Sequence, residues 1–77
     1  MKLYFKNSYD EERVIAEIDS KDKVMQEINK FVNECNDKRT DGNEFKIYYI
    51  RTWGDLNKDG IWYDVSSHTE FFILREN

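Results

Sequence analysis

The residues whose spacing best fits metal chemistry form the segment DLNKDG at positions 55–60. It matches the first half of a calcium-binding loop, D-x-N-x-D-G, in which three side-chain oxygens converge on the ion and the glycine makes the sharp turn. The second half does not match, because Ser66 takes the place of the bidentate glutamate and the flanking segments read as strands. Asp59 and Gly60 also form a strong turn dipeptide. We therefore favour a hairpin loop here and predict no metal and no cofactor.

The only histidine, His68, lies in the segment SSHTE at positions 66–70. Serine, histidine and carboxylate occur together there, but a catalytic triad needs a defined geometry that closeness in sequence does not create. A tight turn also offers no cleft that excludes water. A zinc site is disfavoured, because one histidine and one cysteine cannot complete a four-ligand shell. We interpret His68 as a turn residue and predict that the protein is not an enzyme.

Length and charge restrict the class of protein further. The chain has 77 residues, which predicts one small domain, residues 1–77, and its 16% aromatic content offsets the small size. The net charge is −4 and the basic residues are scattered. Binding of nucleic acid through its phosphates needs a clustered basic surface, so this composition disfavours it. Binding to a basic protein surface stays open.

Cysteine usage indicates the compartment. Cys35 is the only cysteine, so no intramolecular disulfide can form, whereas a small secreted domain would usually carry several. We find no signal peptide and no apolar run long enough to cross a membrane. The sequence therefore predicts a soluble protein of the cytoplasm, with Cys35 as a small core residue.

The first half of the chain predicts a hairpin followed by one helix. Strands are expected at Lys2–Lys6 and Arg13–Ile18, joined by a polar turn at Asn7–Glu11. Asp19 or Ser20 is expected to cap the helix. The apolar residues that follow recur with helical spacing and form one stripe. That stripe consists of Val24, Met25, Ile28, Phe31, Val32 and Cys35.

The second half predicts a three-stranded meander after a turn-rich loop, Asn36–Asn43. The expected segments are a strand at Glu44–Trp53, a loop at Gly54–Gly60, a strand at Ile61–Ser66, a turn at Ser67–His68 and a strand at Thr69–Arg75. The order β-β-α-β-β-β predicts an α+β two-layer sandwich, a mainly antiparallel sheet with one helix on one face. The connection through the helix leaves open one parallel strand pair.

Both faces of this predicted sheet are rich in apolar residues, although only one helix is available to cover them. The expected helix-facing set is Phe45, Ile47, Tyr49, Trp53, Ile61, Tyr63, Val65, Phe71 and Ile73. The opposite set is Tyr48, Ile50, Trp62, Phe72 and Leu74, interleaved with Lys46, Thr52, Asp64 and Glu70. A register error of one residue would exchange the two sets. An uncovered aromatic face is typical of a binding surface. The alternative is that long polar side chains and the N-terminal hairpin cover part of it.

Two segments carry a resemblance to known proteins: residues 61–72, IWYDVSSHTEFF, and residues 49–53, YIRTW. They resemble small uncharacterised proteins of phages that infect low-GC Gram-positive bacteria, and the Lys-, Asn-, Asp- and Glu-rich composition is similar to that group. The resemblance implies an accessory phage product that acts in the host cytoplasm by binding a host or defence protein. Anti-CRISPR proteins share this size and acidity.

These observations together predict a non-enzymatic protein that binds and inhibits a host or defence protein, with an anti-CRISPR type of inhibitor as the sharpest version. The expected anchors are Trp62, Tyr48 and Phe72, supported by Ile50 and Leu74, with steering by Asp55, Asp59 and Asp64. One alternative is a small homodimeric assembly protein joined through the exposed face or an edge strand. Another is a binder of single-stranded nucleic acid that stacks bases on the aromatic face. It would need a positive groove, and regular alternation places Lys46 and Arg51 on opposite faces.

Overall fold

The computed structural model describes residues 1–7, 11–38, 45–67 and 70–76. These residues form one helix, a short 3₁₀ turn and five strands in the order β-β-α-β-β-β. The elements are β1 (Lys2–Lys6), β2 (Glu12–Glu17), the 3₁₀ turn (Lys21–Lys23), α1 (Val24–Asp37), β3 (Arg51–Asp55), β4 (Gly60–Ser67) and β5 (Glu70–Arg75). The predicted α+β class and element order are confirmed, while His68 and the centre of the predicted loop at 36–43 lie outside the described residues.

The five strands form a single sheet in the order β2-β1-β5-β4-β3. All four neighbouring pairs are antiparallel, so the parallel pair that the sequence left open does not occur among the described strands. The connection through α1 runs from the edge strand β2 to the opposite edge strand β3. No helix in the described part of the chain is both long and apolar enough to span a membrane.

Local chemistry explains where the helix begins. The Ser20 hydroxyl oxygen accepts a hydrogen bond from the backbone N–H of Asp22 at 3.2 Å, which satisfies one of the otherwise unpaired donors of the first turn. Of the two predicted caps, Ser20 caps the 3₁₀ turn that leads into α1, whereas Lys23, the residue directly before α1, makes no side-chain cap. Val24, Ile28, Phe31 and Val32 are buried, and Met25 and Cys35 pack partly buried beside them, which confirms the predicted apolar stripe.

The core lies between α1 and one side of the sheet, which we call the helix side. Phe31 of α1 contacts the rings of Phe5 and Phe72, with centroids 4.8 and 5.7 Å apart. Other buried residues of this core include Leu3, Ile18, Val24, Ile28, Val32, Phe45, Tyr63, Val65 and Leu74. Because aromatic side chains bury large areas, this cluster gives a short chain a substantial core.

The predicted long strand at Glu44–Trp53 is wrong in its first part, since the described residues 45–50 are not in a strand and β3 begins at Arg51. The carbonyl of Val65 accepts hydrogen bonds from both Tyr48 and Tyr49, at 2.8 and 3.3 Å, so no regular ladder forms there. The Asn36 side chain both donates to and accepts from the backbone of Phe45, at 2.9 and 2.7 Å. This contact fastens the segment to the end of the helix.

The segment at 55–60 is a β-hairpin connection, as we favoured. Asp55 pairs with Gly60 at the base, and its carboxylate accepts the N–H of Asn57 at 2.9 Å, so the tip lies at residues 56–59 rather than at Asp59-Gly60. Gly54 and Gly60 both have φ of 100°, which favours glycine. A Cβ on Gly54 would collide with the carbonyl oxygen of Gly60. The β3–β4 register nevertheless continues through Gly54 without a shift.

The face assignment predicted for the last strand is wrong. Phe72 and Leu74 are fully buried in the core on the helix side, paired in register with Phe5 and Leu3 of β1. The intervening residues Phe71 and Ile73 therefore point to the other side. Four consecutive apolar residues, FFIL, fit either register, so only the pairing with β1 decides which two face the helix.

Candidate functional site: an aromatic cluster at the β3 edge

The side of the sheet opposite the helix, which we call the open side, carries an apolar row across all five strands. Each member lies opposite the next in the strand register, and alternation places all of them away from the helix. In sheet order the row is Val14, Tyr4, Ile73, Trp62 and Trp53. Ile73 in the middle is fully buried, whereas Val14 and Trp53 at the two edges are 47% and 46% exposed.

At the β3 end, three rings form what we call the aromatic cluster: Trp53, Trp62 and Phe71. The two indoles stack with centroids 6.2 Å apart and an interplanar angle of 18°. Phe71 meets Trp53 at 5.8 Å and Trp62 at 5.6 Å, both in edge-on contacts. Offset and edge-on pairs are the favoured arrangements of aromatic rings, so the three side chains form one continuous, partly exposed apolar surface.

At the β2 end, an ion pair lies over the same row. The Arg75 guanidinium donates to both carboxylate oxygens of Glu12, at 2.8 and 3.3 Å, and it lies over the ring of Tyr4 at 5.0 Å. Its Nε donates to the carbonyl of Asp59 at 3.1 Å. The bond to Glu12 raises the pKa of Arg75. We call this the bridged end, because Arg75 spans from the β3–β4 turn across Tyr4 to β2.

A buried carboxylate supports the strand next to the aromatic cluster. Asp64 is fully buried, faces Arg51 in register, and accepts a hydrogen bond from its guanidinium at 3.1 Å. The Tyr49 hydroxyl donates to the same carboxylate at 3.2 Å, and the Arg51 guanidinium lies 5.4 Å from the Tyr49 ring. Partial burial, reinforced by the contact with Asp64, raises the pKa of Tyr49. Asp64 thus fixes Arg51 and Tyr49 beside β3.

The β3 edge itself is the most exposed part of the sheet. Every residue of β3 is exposed, and as an edge strand it has a described neighbour only on its β4 side. Tyr48 and Ile50, which precede it, are 71% and 55% exposed. Together with Trp53 they are three of the four large apolar side chains exposed in the described part of the chain. Apolar side chains exposed together along an edge strand are unusual, because such edges promote association.

The structure separates the predicted site residues into two groups. Trp62 belongs to the aromatic cluster, Tyr48 and Ile50 are exposed beside β3, and Asp55 and Asp59 are exposed in the adjoining hairpin. The prediction is wrong for the other three, because they are fully buried and cannot contact a partner: Phe72, Leu74 and Asp64.

Sequence reasoning missed two members of the site. Trp53 and Phe71 were expected beneath the helix, yet both lie in the aromatic cluster on the open side. A signal was present for Trp53: pairing it with Trp62 across a short hairpin puts two indoles on one face. The position of Phe71 beside these two indoles could be predicted only with the register of β5.

Metal-binding side chains are not clustered in the part of the chain that the structure describes. Among the described residues, no group of three or more His, Cys, Asp or Glu side chains is close enough to hold a metal ion. Asp55 uses a carboxylate oxygen within its own turn. A shallow depression of about 460 Å³ lies between the two tryptophans and this turn, open to the surface. Its lining combines the stacked indoles with the charged side chains of Asp55, Lys58 and Asp59, which suits contact with another macromolecule through apolar burial and charge.

Comparisons with protein-family models, with curated proteins and with solved structures found no match.

Proposed function

We propose that this protein is a non-enzymatic binding protein that inhibits a protein partner by covering a functional surface with its aromatic cluster. The observation that carries the proposal is the stacked pair Trp53 and Trp62, packed against Phe71 and partly exposed at a sheet edge. Rigid tryptophans are the residues that most often dominate the energy of protein interfaces, because they bury a large area at a low entropic cost.

The charges around the cluster favour a protein partner over a nucleic acid. On the described strands, the open side carries as many anionic as cationic side chains, so it has no cationic groove along which phosphates could lie. The cationic residues are Lys2, Lys6, Arg51 and Arg75, and the anionic ones are Glu12, Glu17, Asp55 and Asp64. Beside the tryptophans, the exposed carboxylates of Asp55 and Asp59 outnumber the one ammonium group, that of Lys58, and would steer the cluster towards basic residues of a partner.

The origin and target follow from the sequence resemblance. As an accessory product of a phage or mobile element of Gram-positive bacteria, the protein acts in the host cytoplasm on a host or defence protein. A nucleic-acid-binding nuclease of a CRISPR system is the sharpest version of that target, since its nucleic-acid channel offers a basic surface of the required kind. Blocking such a surface needs binding alone.

The test is capture followed by an activity measurement. Tagged protein is incubated with lysates of a Gram-positive host, one of them expressing a CRISPR effector, beside the Trp53→Ala variant. We expect a stoichiometric partner that the variant does not retain, and we expect the purified partner to lose its own activity when the wild-type protein is added.

Two results would overturn the proposal. Capture of the same partner by Trp53→Ala with equal yield would show that the aromatic cluster is not the contact surface. A captured partner whose activity is unaffected by saturating protein would show that binding does not inhibit. Oligonucleotides are also titrated into the purified protein. Salt-sensitive quenching of its tryptophan fluorescence would favour nucleic-acid binding instead.

A further inference from the structure

We infer that two copies of this chain pair through their β3 edges, antiparallel and centred on Trp53, to form one continuous ten-stranded sheet. The proposal concerns self-association and does not depend on the inhibitory function. It commits to a second copy because the β3 sequence complements itself about that centre.

The complementarity is read directly from β3. In an antiparallel pair centred on Trp53, Arg51 lies opposite Asp55 of the second copy, and Asp55 lies opposite Arg51 of the second copy. All four of these side chains are on the open side, next to the two Trp53 rings. Opposite charges facing each other across strands stabilise a sheet, and this arrangement provides two such pairs by symmetry.

The positions just beyond the charges also match. Just outside β3, Ile50, which is 55% exposed, comes close to Leu56 of the second copy, a turn residue partly buried against its own core. Within the strand, Thr52 lies opposite Gly54 of the second copy. The contact of Ile50 with Leu56 covers apolar surface, and Gly54, which has no side chain, leaves room for that of Thr52. The Arg51 guanidinium already donates to Asp64 at 3.1 Å, and a guanidinium with five N–H donors can bridge that carboxylate and a second one.

The other edge of the sheet shows the opposite design. An antiparallel pair of β2 strands about their midpoint would place Glu12 opposite Glu17 of the second copy, which is a repulsion. A register shift between Leu3 and Tyr4 also distorts the pairing of β2 with β1, and such irregularities protect edges from association. Pairing is therefore expected at β3 and resisted at β2.

Pairing would change the open side. The two stacked pairs of indoles would meet across the two-fold axis in the order Trp62, Trp53, then Trp53 and Trp62 of the second copy. The aromatic surface would double in length, and a binding partner would meet four tryptophans in one row.

The first experiment measures mass in solution by light scattering and sedimentation from micromolar to millimolar concentration. We expect a concentration-dependent dimer, and we expect Ile50→Lys to lose it because a charge would face Leu56 of the second copy. Val14→Lys is the matched control, since Val14 is 47% exposed on the opposite edge, and it should remain dimeric. Circular dichroism verifies that both variants keep the fold.

Charge provides a second readout. Asp55→Asn keeps an oxygen for the N–H of Asn57 but removes both cross-strand attractions, so we expect the dimer to weaken by about three- to tenfold. Asp59→Asn removes a charge of the same sign from the same turn and should leave the dimer unchanged.

The register is tested by disulfide trapping in a Cys35→Ala background. Trp53→Cys lies on the two-fold axis and should give a disulfide-linked dimer on mild oxidation. Ile50→Cys should not, because the two copies of position 50 would be about 20 Å apart along the strands. A monomer at millimolar concentration, an equal loss on Val14→Lys, or equal trapping at position 50 would each overturn the inference.

Discussion

The two ends of the open side are built on the same row yet finish differently. At the bridged end, Arg75 ties Glu12 across the ring of Tyr4, and charged residues oppose each other in register along β1 and β2. At the aromatic end, Trp53 and Trp62 stack, and the ion pair between Arg51 and Asp64 lies beside them in the register rather than over their rings. The end residues Val14 and Trp53 are almost equally exposed, so the two ends differ in what they present: β2 offers one valine beside an ion pair, and β3 offers stacked aromatic rings.

The comparison also shows how a small chain with one helix buries apolar residues on both sides of its sheet. The helix side takes the aliphatic and phenylalanine core, and the centre of the open side buries Ile73 completely beneath its neighbours. Only the edges of the row stay exposed. An apolar face therefore need not be a binding surface along its whole length, and the edge at which the rings are exposed is the informative one.

The largest effect on stability is expected at the neighbouring residues Phe72 and Phe71, which lie on opposite sides of the sheet. Phe72→Ala should reduce the free energy of unfolding by about 3–5 kcal/mol, because it leaves a cavity at a fully buried site in the core on the helix side. Phe71→Ala should cost only about 1–2 kcal/mol, since its partly buried ring is replaced in part by solvent. Urea denaturation measures both. Equal costs would contradict the assignment of these residues to opposite sides.

A smaller effect is expected at the buried carboxylate of the aromatic end. Asp64→Asn keeps the side-chain size but removes the charge that faces Arg51 and places a donor group against donors, so about 1–3 kcal/mol of stability should be lost. Asp59→Asn is the matched control, because Asp59 is exposed in the adjoining turn and its change should be close to neutral. A neutral Asp64→Asn in thermal unfolding would mean that Asp64 does not support β3.

The bridged end should respond less. Arg75→Ala removes a partly exposed ion pair and the cation over Tyr4, which we expect to cost about 1 kcal/mol. Arg75→Lys keeps the charge but not the two-pronged contact with Glu12, so its stability should lie between those of the wild type and Arg75→Ala. The accompanying readout is fluorescence of a hydrophobic dye, which should bind more strongly to Arg75→Ala than to wild type. Unchanged dye binding would show that Arg75 does not close this end.

The smallest effect is a pH dependence. Burial raises the pKa of Tyr63, and partial burial together with Asp64 raises that of Tyr49, so the folded state favours the neutral phenols. Their stabilisation is fully present below the ordinary tyrosine pKa of about 10 and is lost as the pH rises through the higher folded values. Stability should therefore fall above that pH, less steeply in Tyr49→Phe. Stability that rises there would contradict the account.

The sequence predicted the helix, its stripe and the order of elements because those depend on local spacing and on turn residues. It could not predict which side Phe72 and Phe71 face, since four successive apolar residues satisfy either register and the choice belongs to pairing with β1. The site was predicted in part for the same reason. Trp62, Tyr48 and Ile50 were located, but Trp53 and Phe71 required the register of the folded sheet. The burial of Asp64 required the long-range contacts of Arg51 and Tyr49.

The most direct test of the difference between the two ends is the affinity of the captured partner for Trp53→Ala and Val14→Ala, measured by calorimetry. The two residues occupy the opposite ends of one row and are almost equally exposed, at 46% and 47%. The account predicts that Trp53→Ala weakens binding by about 2 kcal/mol or more while Val14→Ala leaves it within about 0.5 kcal/mol. Equal losses, or a larger loss for Val14→Ala, would contradict it.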